Sequence, residues 1–108
     1  MTAESDPKVP ENEMTENEMT VTDNADADRY ELHVGNDLAA FLQYHRNGKR
    51  LVLIHTETLA AFAGHGVGAH LVKTVLDEAR DRGLRVVPRC PFVARYIKEH
   101  PEYQDLVA

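Results

Sequence analysis

The sequence predicts a mixed α/β (α+β) domain: an antiparallel sheet of three strands, then a helix, a strand parallel to the third, and a C-terminal helix. Three observations carry this expectation. Apolar and polar residues alternate through residues 30–34 and 38–45, and an apolar run follows within residues 50–57, the three segments separated by glycine-containing turns, which is the pattern of strands. From Val67 onward the apolar residues recur every three to four positions, the period of an amphipathic helix. A strand reached through a helix returns parallel to the strand before it, so residues 84–88 complete the sheet beside residues 50–57.

Each element has its own signal. In the first strand Tyr30, Leu32 and Val34 alternate with Glu31 and His33, and Gly35-Asn36-Asp37 marks a turn. The second strand puts Leu38, Ala40, Leu42 and Tyr44 on one face, and Asn47-Gly48 suits a tight hairpin. The third strand contains Leu51-Val52-Leu53-Ile54, apolar on both faces as expected near the middle of a sheet. Val67, Leu71, Val75 and Ala79, with Val72 and Leu76 beside them, define a helix over residues 66–82 that Gly83 terminates. Pro91 suits the first turn of a second helix packed through Phe92, Val93, Tyr96 and Ile97. Pro101 ends that helix, and Tyr103, Leu106 and Val107 tuck a last turn onto the core.

The 108 residues, 43% hydrophobic and 28% charged, allow one domain. Residues 1–28 carry nine Asp or Glu against Lys8 and no aromatic residue, too little apolar surface to offset the entropy of ordering. They are expected to be a disordered acidic tail, with the domain spanning 29–108. The tail repeats Glu-Asn-Glu-Met-Thr at 11–15 and 16–20, copies too short for a repeat architecture.

A net charge of -6 argues against broad nucleic-acid binding, which needs clustered Lys or Arg. No run reaches the roughly 18 apolar residues of a membrane span, and the start lacks the features of a signal peptide. No nucleic-acid or membrane partner and a cytoplasmic location are therefore expected. The single Cys90 allows no intramolecular disulfide, and the histidine spacing matches no zinc pattern, so no metal is expected.

The informative segment is Gly64-His65-Gly66-Val67-Gly68-Ala69, between a strand and a helix. Glycines there let the backbone turn sharply and approach a ligand, while N–H groups at the helix start attract phosphate oxygens. The segment formally fits the dinucleotide pattern G-x-G-x-x-G/A. Against that reading, no acidic residue ends the next strand, and three antiparallel strands make no doubly wound sheet. A Walker-type loop fails because no Lys-Ser or Lys-Thr follows the glycines.

Cys90 falls between the fourth strand and Pro91, at the second helix's N-cap beside Arg89, where the helix dipole and a cation favour thiolate. A free cysteine is also often a small buried apolar side chain. His55 and Glu57 alternate along the third strand and so share a face. They are candidate bases for an amine substrate, or else a solvated surface pair.

At these residues the sequence resembles a known group. Residues 64–69 look like the acyl-CoA pyrophosphate loop of the GNAT acetyltransferase superfamily. His55-Thr56-Glu57, that loop, and the stretch from Val86-Val87-Pro88-Arg89-Cys90-Pro91-Phe92-Val93 through Tyr96-Ile97 to His100-Pro101-Glu102-Tyr103 resemble the small single-domain GNAT-like N-acetyltransferases. The similarity covers nearly all of residues 29–108. Ala63 stands where the motif usually carries Arg or Gln, which leaves the cradle to the backbone.

The resemblance implies a small GNAT-type fold and transfer of acetyl from acetyl-CoA to an unidentified amine, on a small molecule or a protein. Thr58, Gly64, His65, Gly66, Val67, Gly68 and Ala69 would bind CoA, and Cys90 would be catalytic as acid or nucleophile, with His55 and Glu57 as the other candidates. A monomer or weak dimer is expected. The alternative is a CoA-binding or protein-interaction module without turnover.

Overall fold

The computed structural model describes residues 18–108. Its elements are β1 (Met19–Asn24), β2 (Arg29–Val34), β3 (Asp37–Asn47), β4 (Arg50–Thr58), α1 (Val67–Asp81), β5 (Arg85–Pro88) and α2 (Pro91–Glu99). Short 3-10 turns lie at Ala25–Ala27, Ala60–Phe62 and Pro101–Leu106. The strands form one five-stranded sheet in the order β1-β2-β3-β4-β5. The first four are antiparallel neighbours, and β5 is parallel to β4.

Both helices pack on one face of the sheet. Leu71, Val72, Val75, Leu76 and Ala79 of α1 and Val93 and Ile97 of α2 are buried with Tyr30, Leu32, Leu42, Tyr44, Leu51 and Leu53 from the strands. The last turn adds Tyr103, whose hydroxyl donates to Asp77 Oδ1 of α1 at 2.7 Å. The chain end closes the outer side of β5, with the Ala108 N–H donating to the Val86 carbonyl at 2.8 Å. Among the described residues, the other face of the sheet carries no helix.

The antiparallel part has four strands where three were expected, because Met19–Asn24, assigned to the acidic tail, pairs along the whole of β2. Met19 and Val21 pack against the core, while Thr20 and Thr22 are exposed, so this segment has the strand alternation within a charged stretch. Side chains tie down its end: the Tyr44 hydroxyl donates at 2.6 Å to Oδ1 of Asp23, a tail acid expected to be solvated, and Asn24 Nδ2 donates to Glu31 Oε2 of β2 at 2.9 Å. The expected disorder of residues 1–17 lies outside the described residues.

Two β-bulges correct the expected faces. The register of β2 on β3 shifts between Leu32 and His33, leaving Ala39 extra. Ala40, Leu42 and Tyr44 are buried as expected, but Leu38 is turned to the face it shares with His33. The second bulge lies in β4: Gln43 is opposite His55 and Tyr44 opposite Leu53, so Ile54 is the extra residue.

Two outcomes test this architecture. A chain beginning at Glu18 should melt where the full chain does, whereas one beginning at Arg29 should melt about 10 °C lower or more by circular dichroism, having lost the cover of Met19 and Val21 and the Tyr44 bond. The second concerns alkali. Burial pushes the Tyr30 hydroxyl up to about 12 from 10.0, and burial together with Asp23 pushes Tyr44 up further. The unfolded chain releases these protons near pH 10 while the folded chain still holds them. Stability present below pH 10 should therefore fall as pH rises through 12. Tyr44→Phe should lower the neutral-pH stability by about 1–3 kcal/mol and make the alkaline decline in denaturant midpoint shallower.

Candidate functional site

The site begins where a ladder stops. β4 runs to Thr58, but its pairing with β5 covers only Arg50 to Leu53, ending at Leu53 opposite Pro88. Beyond that point the Arg89 N–H turns back to the Val87 carbonyl at 3.0 Å, and the Cys90 N–H takes the Leu53 carbonyl at 2.9 Å. The chain leaves the ladder there and enters α2. The β5-side edge of β4 over residues 54–58 thus has no strand beside it, and its alternate N–H and C=O groups are free to pair with an extended ligand.

The Ile54 bulge decides which side chains face this opening. Unbroken alternation from Leu51 and Leu53 would turn His55 and Glu57 toward the helices. The extra residue reverses the faces, so Thr56 and Thr58 point to the helix side, and His55 and Glu57 point to the bare face. Ile54 is 45% exposed at the switch.

Cys90 is the N-cap of α2, with no side-chain cap bond. It is only 2% exposed, and its Sγ lies 3.3 Å from Thr56 Oγ1. The thiol is therefore buried on the helix side of the open edge, in hydrogen-bond contact with β4, while the neighbouring Arg89 is exposed. The expected N-cap position is correct. Thr56, quoted in the sequence motif but given no role, is the side chain that holds the thiol.

The glycine segment follows β4 through the Ala60–Phe62 turn. Gly64 and Gly66 have φ of 85° and 75°, a left-handed conformation strained for any side chain. Gly66 is the N-cap of α1 without a side-chain cap, and the first helical bond runs from the His70 N–H to the Gly66 carbonyl at 3.0 Å. The N–H groups of Val67, Gly68 and Ala69 precede that bond, and with the helix dipole they suit an anion. Gly68 is needed for a different reason: a Cβ there would lie 3.0 Å from Thr58 Oγ1 and 3.5 Å from the Phe92 ring.

These residues line a cleft of about 330 Å³, to which Thr58, Gly64, Gly66, Val67, Gly68 and Ala69 all contribute. His65, expected among them, is half-buried and does not line it. A second groove of about 380 Å³ runs between α1 and α2, with His70, Lys73, Arg95 and His100 along it. The His100 ring stacks on Tyr96 at 3.9 Å between centroids. Phe92 and Ala69 belong to both clefts.

On the bare face His55 Nε2 lies 3.2 Å from Glu57 Oε1, both side chains about half exposed at 53% and 55%. Phe41, paired with Glu57 in the register, sets its ring 6.4 Å from that of His55. Arg29 caps Phe41, its guanidinium 4.6 Å from the ring centre, and donates to Glu31 Oε2 at 2.7 Å. Hydrogen bonds from Asn24 and Arg29 hold the Glu31 carboxyl below its ordinary value. The expected pairing of His55 with Glu57 is present, but the sheet separates the pair from the Cys90 thiol.

Comparison with known proteins agrees with this architecture. The family model described as GCN5-related N-acetyl-transferase matches residues 29–106, starting at β2 and leaving β1 outside the match. Protein NATD1 of Homo sapiens is 40% identical over 68 residues, covering 62% of this chain and 60% of that protein. Protein NATD1 of Gallus gallus is also 40% identical over 68 residues, covering 62% of each chain, so the matches span about three-fifths of these relatives' length. A GCN5-like protein from Staphylococcus aureus, whose structure was determined in solution by NMR, has the same fold, with a TM-score of 0.64 and 22% identity over 84% of this chain and 89% of that one. With a match across four of its five strands and both helices, the chain belongs to the GCN5-related N-acetyltransferase family.

Proposed function

We propose that the protein transfers acetyl from acetyl-CoA to an amine, and the observation that carries this is the unpaired β4 edge lying between the glycine-led start of α1 and the Cys90 thiol. A thioester on a long polar arm is an extended ligand with amide groups, suited to the backbone groups left over by β4. Its pyrophosphate would sit at the N–H groups of Val67, Gly68 and Ala69, and the groove between α1 and α2, which shares Ala69 and Phe92 with that cleft, would take the nucleotide. Ala63 in place of the family's Arg or Gln leaves this binding to the backbone.

The two faces of the sheet divide the chemistry. The donor approaches from the helix side, where Cys90 stands, and the acceptor from the bare face, where Glu57 and His55 stand. The amine nitrogen attacks the thioester carbonyl carbon, the C–N bond forms, and the C–S bond breaks. Glu57, with His55 beside it, receives the amine proton. The departing CoA sulfur takes a proton from the Cys90 thiol, which solvent later restores. Backbone N–H groups on the open edge of β4 suit the developing negative charge on the carbonyl oxygen, and the enclosing walls orient the two reactants.

If CoA binds as proposed, a concentration of 100 times its dissociation constant adds about 2.7 kcal/mol. In a domain of this size the melting midpoint should then rise by about 10–20 °C, and no rise at millimolar CoA would remove the donor assignment.

Release of free CoA in the presence of mixed amines separates an enzyme from a binding module. Cys90→Ser should keep the thermal shift and lower transfer by about 10²–10⁴-fold, the usual cost of losing a general acid. Glu57→Gln should also preserve the shift while lowering transfer. Full activity in both variants would exclude this division of roles. An acetylated Cys90 trapped in the wild type by mass spectrometry would replace the acid role with a nucleophilic one.

A further inference from the structure

Phe92 is a large aromatic residue that the fold leaves 43% exposed, and its position is constrained. It follows the N1 proline of α2, and its ring backs onto Gly68, where an added Cβ would stand 3.5 and 3.6 Å from two ring carbons. The absence of that Cβ lets the ring lie against the first turn of α1. Seated there, the ring is a wall of the glycine cleft on one side and of the α1–α2 groove on the other. Neither space is larger than about 380 Å³, toward the small end for a ligand of ordinary size. The ring is an apolar ridge between the start of α1 and the charged side chains of the groove, where Lys73 pairs with Asp77 and Arg95 with Glu99.

We infer that Phe92 gauges the length of the thioester donor: its exposed face is covered only by a donor that occupies both clefts, so it favours a nucleotide-bearing thioester over one ending at the first phosphate. This rests on the donor reading above. A ligand ending at 4′-phosphate fills the β4 edge and the helix start and meets the ring from its glycine-cleft side alone, leaving the groove side wet. One that continues into a nucleotide has to pass over the ring, removing apolar surface from water that the shorter ligand leaves wet. Selection between the two is then a difference in what each covers, set by a residue that does not touch the reacting atoms.

The test is calorimetric titration of the full chain with CoA and with 4′-phosphopantetheine. The wild type should bind CoA at least about tenfold more tightly. Phe92→Ala should weaken CoA about tenfold, equivalent to 1.4 kcal/mol, and change 4′-phosphopantetheine by less than about twofold. Phe92→Leu, which keeps apolar bulk against Gly68, should fall between. In turnover, the KM for acetyl-CoA should rise with kcat at saturation unchanged, and melting midpoints should stay within about 2 °C. Equal losses for both ligands would make Phe92 a structural residue, and no loss for CoA would remove the ridge from the binding path; either result overturns the inference while leaving the donor reading intact. A wild type that binds neither ligand overturns the donor reading and this inference with it.

Discussion

The early end of the β4–β5 ladder is the constraint from which the rest of the site follows. A parallel pair in mid-sheet normally satisfies every backbone group along its length, yet here four register pairs serve a nine-residue strand. The turn at Arg89 and the single bond from Cys90 to Leu53 pull β5 away and hand the chain to α2. One local departure thus creates two things together: an opening beside β4 where it has no neighbouring strand, and a thiol at a helix start.

The bulge at Ile54 gives that opening its polarity. On its helix side are Thr56, Thr58, Cys90 and the glycine-led helix start; on its bare side are His55, Glu57 and the Arg29-capped Phe41. One inserted residue therefore sorts adjacent positions of a single strand into separate chemical environments. The strand edge thus has different side chains on its two sides, with the sheet keeping them apart.

Most of the fold was legible in the sequence because its elements are locally self-consistent. The four-residue period of Leu71, Val75 and Ala79, the stop at Gly83 and the proline at the head of α2 all name their structures without long-range help. The glycine segment and the N-cap place of Cys90 could be read in the same way. β1 could not, since its two apolar residues are embedded in a charge run and are worth something only against a core built by residues far along the chain. The bulges were hidden for a related reason: alternation counted along one strand cannot see an extra residue that only the partner's register exposes. That is why the sequence could pair His55 with Glu57 but not tell which face of the sheet they take; Phe92, assigned to core packing by its helical spacing, is found 43% exposed.

The crossover connection has a kinetic consequence. Strands β1 to β4 are joined by short turns and can pair as each hairpin forms, but β5 meets β4 only after α1 has been made and docked, since Arg50 and Arg85 are paired across the whole helix. Contacts between residues so distant along the chain bear a loop-closure cost before they return anything. The meander can therefore collapse before the opening beside Cys90 exists, and that opening is completed only with the docking of α1 and the annealing of four residue pairs.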